Sequence, residues 1–287
     1  MTTFARVAVL GAGTMGHGIA QVAAAAGSSV RLYDVDAAAP ERALGRIRAN
    51  LDKGVSLGKV ATEDRDRTLA RLTASSDLAE AATGADLIVE AAPESMTIKR
   101  ALLGEVERAA PETAVLATNT SSLSIAELAS ALARPERFLG LHFFNPVHVM
   151  ALVEVVWGPE TDRGVLDRAV AYVRELGKEP VVVKDSPGFA SSRLGVLIGL
   201  EAMRMVQEGV STPEGIDKAM ELGYRHPMGP LRLTDLVGLD VRLGIAEYLH
   251  QELGSEAFRP PQILRRMVAE GKLGKKSGEG FYRWEEK

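Results

Sequence analysis

His142 and Glu154 each interrupt an apolar run, the histidine in RFLGLHFF and the glutamate in ALVEVV. A buried carboxylate needs a partner and so does a buried imidazole, so pairing the two satisfies both. The same pairing is an acid–base device. A carboxylate on one ring nitrogen fixes the tautomer and leaves the other nitrogen to exchange a proton with a substrate hydroxyl. From these two residues alone, a satisfied core pair and a catalytic pair are both open. Other polar residues at strand ends favour the second: Asn119, Thr120, Ser121 and Ser122 follow AVLAT, and Asn145 follows His142. Ligands of open α/β sheets bind beyond the carboxyl ends of the strands, where Ser121 and Asn145 would bracket a substrate oxygen. A metal is the other use for His142 and His148. With no cysteine and no His, Asp or Glu spacing that completes four ligands, none is expected, and His148 reads as structural.

A second chemical signature lies in RVAVLGAGTMGHGIAQVAAAAG, which sets Gly11, Gly13 and Gly16, with Thr14 and Met15 between them, where a strand turns into a helix. Glycines at this spacing give a tight turn, close backbone approach to a pyrophosphate and close helix–strand packing, with helix amides facing the anion. Asp34 ends the next strand, RLYD, where a carboxylate accepts hydrogen bonds from a ribose diol and repels a 2′-phosphate. The expected cofactor is NAD rather than NADP.

The rest of the chain must position these groups. At 287 residues it is long for one hydrophobic core, so two domains are expected, each able to bury its own. From residue 6 to about 184, short β-branched runs (RVAVL, SSVRLYD, DLIVEAA, AVLAT, RFLGLHFF, ALVEVVW, PVVVKD) alternate with helical patterns, which is how a doubly wound parallel sheet reads. Ser124, with Glu127 three residues on, opens one of those helices in a capping-box arrangement. The charged stretch from Pro40 to about Leu72 is expected to form an inserted helical pair projecting from the sheet. After KDSPGF the β-branched runs cease and helices separated by Gly and Pro follow. The expected organisation is a Rossmann-type α/β domain over 1–184 and an all-α domain over 185–287.

Composition narrows the partners. A formal net charge of −4 gives no reason to expect nucleic acid or an anionic membrane, so the ligands are expected to be small. LGVLIGLEAMRMV, the most apolar stretch, is broken by Glu201 and Arg204 and is not expected to span a membrane. The absence of cysteine, together with a first strand that starts within a few residues of the N-terminus, reads as a cytoplasmic protein.

Seven motifs carry a family resemblance: GAGTMGHGIAQ, EAAPESMTIK, TNTSSLSI, GLHFFNPVHVMALVEVV, KDSPGF, HPMGPLRLTDLVGLD and GKKSGEGFY, in that order from about residue 6 to 283. Together they resemble the L-3-hydroxyacyl-CoA dehydrogenases, in particular the bacterial 3-hydroxybutyryl-CoA dehydrogenases. The resemblance implies an NAD-dependent interconversion of an L-3-hydroxyacyl-CoA and its 3-ketoacyl-CoA, with His142 as acid–base group and Glu154 orienting it. It further implies that Ser121 and Asn145 contact substrate or nicotinamide, that Glu94, Lys99, Asn119 and Lys276 line the cofactor, and that Asp34 accepts the adenosine ribose. By the same resemblance the helical pair is an arm over the CoA nucleotide, with Asn50, Lys53 and Lys59 meeting phosphates. The helical domain, with its long apolar helix over 190–208, is implied to form a homodimer.

One departure stands out. Where the family reads PGFxxNR, this chain reads PGFASSR and places Ser192 at the asparagine position beside the substrate. A serine lacks the amide's fixed donor and acceptor pair, so a direct contact becomes water-bridged or is lost. Two other readings therefore stay open: a dehydrogenase of a 3-hydroxy acid without CoA, and an NAD-binding protein of low activity.

Overall fold

The computed structural model describes residues 2–284. The chain divides into two compact units, Met1–Ser186 and Pro187–Lys287.

The first unit is built on eight strands: β1 (Arg6–Leu10), β2 (Ser29–Tyr33), β3 (Leu72–Ser75), β4 (Leu87–Glu90), β5 (Val115–Thr118), β6 (Phe138–Phe143), β7 (Leu152–Trp157) and β8 (Glu179–Lys184). They lie in one sheet in the order β3-β2-β1-β4-β5-β6-β7-β8. Strands β4, β5 and β6 are buried throughout, as strands covered on both faces must be, which is why they read as apolar runs with a polar residue only towards the carboxyl end. The chain leaves β1 towards β2 and β3 and returns on the other side of β1 with β4, so the order reverses between β1 and β4. A crevice opens at such a reversal, beyond the carboxyl ends of the strands.

The helices of this unit are α1 (Thr14–Ala25), α2 (Ala39–Ser56), α3 (Thr62–Leu69), α4 (Leu78–Ala82), α5 (Met96–Ala109), α6 (Ile125–Ala129) and α7 (Arg163–Glu175). Ser124 caps α6 by accepting the Glu127 amide at 3.2 Å. The inserted pair is α2 and α3. It does not project freely, because Ala43, Ile47 and Leu51 of α2 are buried in the main core and both helices pack against α1. Those three residues fall at helical spacing on one face, and that stripe anchors the pair.

Two features depart from the expected parallel sheet. The short run LTAS forms β3, an edge strand too brief to announce itself in sequence. More consequential is that β6 and β7 pair antiparallel, while every other neighbouring pair is parallel. A parallel return needs a crossover of a dozen residues or so, and the segment from Phe143 to Leu152 is too short to provide one.

The second unit holds α8 (Ser191–Gln207), α9 (Pro213–Tyr224), α10 (Pro230–Val237), α11 (Leu239–Leu253) and α12 (Gln262–Ala269) around a core that includes Leu200, Met203, Leu231, Leu239, Leu249 and Leu264. Gly238, with φ of +104°, breaks what reads as one continuous helix into α10 and α11. Two buried carboxylates fasten the C-terminal strap: Asp235 accepts the Phe281 and Tyr282 amides and the Trp284 indole, and Asp217 accepts the Tyr282 hydroxyl.

Candidate functional site

The glycine loop joins β1 to α1. A Cβ on Gly11 would stand 2.6 Å from the Ala91 carbonyl oxygen, and one on Gly16 would stand 1.7 Å from that of Gly11, so neither position admits a side chain. These contacts draw α1 down onto the sheet and present its first turn at the crevice. That turn has no side-chain cap and no acidic residue, so its orphan amides are left for an anion from outside the helix. Asp34, just beyond β2, accepts the amides of Ala12 at 2.7 Å and Asp36 at 3.0 Å. Its carboxylate is thereby aimed across the loop and keeps lone pairs to spare for a diol. A glycine loop, an uncapped helix and a carboxylate beside them form a donor and acceptor set that suits a dinucleotide.

Beyond β4 and β5 the structure gathers a polar cluster. Glu94 accepts the Thr120 hydroxyl at 2.6 Å and the amides of Ser121 and Ser122 at 2.9 and 3.2 Å, and so shapes the serine turn. Burial works to raise the Glu94 pKa, but the nearby Lys99 charge and these hydrogen bonds outweigh it and hold the carboxyl below its ordinary value. Lys99, expected to line the cofactor, instead turns its ammonium inward. It is 1% exposed and bonded to Glu90 at 2.8 and 3.0 Å, with Glu94 at 3.5 Å. Sequence reading had missed the place of Glu90 in this cluster.

The β6/β7 register sets His142 directly opposite Glu154. Nδ1 of the imidazole lies 2.7 Å from Glu154 Oε2, and both residues are buried. A carboxylate there accepts the Nδ1 proton, which fixes the tautomer of the neutral ring. The Phe144 ring packs against the imidazole at 4.4 Å between centroids. Asn119 braces this pair to the neighbouring strands, since its side-chain oxygen accepts the Phe143 amide at 2.9 Å and its own amide donates to Glu90 at 2.7 Å. Asn145 is exposed, at the start of the turn that follows β6.

Between α1, α2 and α3 lies a cavity of about 1420 Å³. Asn50, Lys53 and Lys59 all line it, together with Arg67, Arg71 and His148. The two arginines were missed in sequence: Arg67 rides the last turn of α3 and Arg71 lies in the turn that leads to β3. His148, read as structural, stands at the edge of the cavity. Burial, then His17 and Lys178, push its pKa down. Asp64 is the single acid of this wall, so the cavity is strongly cationic.

The remaining candidates belong to the second unit. Ser192 lies in the first turn of α8. Lys276 is paired with Asp240 at 2.5 Å beside Gly238. Burial works to raise Asp240, and the Lys276 contact together with backbone amide hydrogen bonds outweighs it, leaving that carboxyl low.

Comparison with known proteins gives a consistent result over nearly the whole chain. The family model described as 3-hydroxyacyl-CoA dehydrogenase, NAD binding domain, matches residues 6–186, and that described as 3-hydroxyacyl-CoA dehydrogenase, C-terminal domain, matches residues 188–284. A probable 3-hydroxybutyryl-CoA dehydrogenase of Bacillus subtilis is 45% identical over 282 residues, covering 98% of each chain. A 3-hydroxybutyryl-CoA dehydrogenase of Mycobacterium tuberculosis is 44% identical over 279 residues, 96% of this chain and 97% of the relative. Among solved structures, (S)-3-hydroxybutyryl-CoA dehydrogenase PaaH1 from Ralstonia eutropha superposes with a TM-score of 0.95 at 39% identity, covering 99% of this chain and all of that one.

The lowered Glu94 pKa has a measurable consequence. Its stabilisation is fully present above the ordinary carboxylate pKa and is lost as pH falls through its lower folded value. Acid unfolding followed by circular dichroism will show Glu94→Gln less stable than the native chain at neutral pH, with the gap closing as pH falls below the ordinary carboxylate range.

Proposed function

The chain belongs to the 3-hydroxyacyl-CoA dehydrogenase family, and from that footing we propose that it oxidises and reduces short-chain substrates, 3-hydroxybutyryl-CoA and acetoacetyl-CoA, with His142 as the catalytic acid–base. The observation that carries this reading is the 2.7 Å contact between His142 Nδ1 and Glu154 on facing strands.

When bound, NAD supplies the acceptor for the hydride on C3 of the substrate, and NADH returns it. The protein's own work is to move the proton. As C3 becomes a carbonyl carbon, His142 Nε2 takes the hydroxyl proton, and Glu154 stabilises the imidazolium that forms. In the reducing direction, His142 gives that proton back to the carbonyl oxygen. Ser121 and Asn145 hold the reacting oxygen in line with Nε2, and Ser192 supplies a substrate-side hydroxyl in place of the longer amide.

Gly11, Gly13, Thr14, Met15 and Gly16 cradle the pyrophosphate, and Asp34 takes the adenosine ribose. Glu94 and Asn119 border the nicotinamide side, with Lys99 acting through Glu94, and Lys276 contributes a further cofactor contact. Residues 1–184 thus serve as the NAD-binding domain, while 185–287 complete the substrate site and mediate dimerisation. The cationic cavity between α1, α2 and α3 receives the CoA phosphates, on Asn50, Lys53 and Lys59 with Arg67 and Arg71. That basic lining favours a CoA thioester over a free hydroxy acid. Leu194, Leu222, Tyr224 and Val241 expose apolar surface on the helices of the second unit, which supports a homodimer. Among the described residues no helix is long and apolar enough to cross a membrane. The absence of cysteine supports a cytoplasmic site of action.

Three outcomes test this reading. With acetoacetyl-CoA and NADH followed at the nicotinamide absorbance, His142→Ala lowers kcat by about 10² to 10⁴ with little change in KM. Undiminished turnover in that variant would remove His142 from the mechanism. Paired Lys53→Ala and Lys59→Ala substitutions raise KM for acetoacetyl-CoA by roughly tenfold, most at low salt, yet leave a pantetheine thioester lacking the nucleotide unaffected. Light scattering at micromolar concentration gives twice the chain mass; a monodisperse monomer excludes the dimer.

A further inference from the structure

Glu90 ends β4, is 0% exposed, and has no part in the chemistry described above. Each oxygen of its carboxylate accepts two hydrogen bonds, supplied by three donor groups from separate pieces of chain. Oε1 takes the Ala92 amide at 2.6 Å and the Lys99 ammonium at 2.8 Å. Oε2 takes the Thr118 hydroxyl at 2.5 Å and the same ammonium at 3.0 Å. Lys99 also donates to the Ala92 carbonyl at 3.1 Å and stands 3.5 Å from Glu94.

What these ties join is informative. On one side, the turn at Ala91 and Ala92 abuts Gly11, so closely that Gly11 tolerates no side chain. On the other, Thr118 closes β5, the Glu90 carbonyl accepts the Asn119 amide, and Glu94 gathers Thr120, Ser121 and Ser122. Stability alone is a poor account of such a cluster, because well-packed apolar side chains of similar volume often replace a buried ion pair at no cost. An apolar pair, however, carries no direction, whereas a saturated carboxylate sets where each of its donors must stand.

We infer that Glu90 and Lys99 form a positioning pair that holds the glycine loop and the Ser121 turn in one fixed relation, so that cofactor affinity and Ser121 alignment both depend on a carboxylate buried away from cofactor and substrate. The inference rests on the roles proposed for the glycine loop and Ser121.

The test uses the full-length chain carrying Glu90→Gln together with Lys99→Met, a change that neutralises both members of the buried pair and conserves volume, while Glu94 keeps its hydrogen bonds to Thr120, Ser121 and Ser122. Three quantities decide it: NADH affinity by fluorescence titration, hydrogen exchange at residues 91–92 and 119–122 without ligand, and kcat against KM for acetoacetyl-CoA. Positioning predicts a folded protein with NADH Kd weakened roughly tenfold, faster exchange in both segments, and kcat reduced roughly tenfold with acyl-CoA KM within about twofold. A folded double variant with native NADH affinity and native exchange overturns it. Should the double variant fail to fold, Thr118→Val removes one donor without stranding a charge, and Thr118→Ser restores the hydroxyl. Weaker NADH binding in the first and recovery in the second support the pair, and native binding in both overturns it. Affinity and exchange are readable even if the native chain does not turn over acetoacetyl-CoA, so a failure of the proposed reaction is distinguishable from a failure of this inference.

Discussion

The antiparallel pairing of β6 with β7 is the constraint on which the arrangement of the site depends. A sheet that is otherwise parallel admits one reversal, and it falls where the chain between two strands is too short for a crossover helix. In an antiparallel pair, residues opposite one another share a face at about 5 Å, close enough for one hydrogen bond between an imidazole and a carboxylate. His142 and Glu154 occupy such a position. A slip of one residue would send Glu154 to the other face of the sheet and break its hydrogen bond to His142. The buried neighbours Leu141, Phe143, Val153 and Val155 hold that register, so ordinary packing fixes the geometry of the pair.

From β6 the order propagates along the carboxyl edge of the sheet by short polar links. Phe143 donates to Asn119, Asn119 donates to Glu90, Glu90 binds Thr118, Lys99 and Ala92, and the adjoining Ala91 presses on Gly11. Strands β1, β4, β5 and β6 are joined by backbone hydrogen bonds over their lengths, but those bonds leave the loops beyond them undetermined. Side-chain carboxylates and one asparagine settle the loops. The glycine loop and the His142–Glu154 pair are thus joined by one connected edge.

The cationic cavity follows a different principle. Its walls come from three helices: α1 and α2 send apolar stripes into the core, whereas α3 buries only Thr68. The outer faces of α2 and α3 are left to charge, and cations exceed acids where they converge. A polyanionic ligand gains most from such a surface, because phosphates are met by several flexible ammonium and guanidinium groups without burying any of them.

Much of this was legible in the residues themselves. Seven of the eight strands read as β-branched runs, the glycine spacing located the loop, and His142 and Glu154 declared themselves by breaking apolar runs. Such signals survive in one dimension because they are local periodicities and local exceptions to them. Other features were decided only when the chain folded. The antiparallel turn at β6 and β7 changed a parallel reading, and α2 proved to be rooted in the core. Lys99 was found turned away from the crevice onto Glu90, while Arg67 and Arg71 joined the lysines at the cavity. Each of these depends on which way a side chain points relative to elements distant in sequence, and that direction is fixed by packing and by competition among buried donors for a few acceptors. The sequence by itself determined which groups were available for chemistry and on which elements they rode; the tertiary structure decided their partners, because a partner is a matter of distance in space.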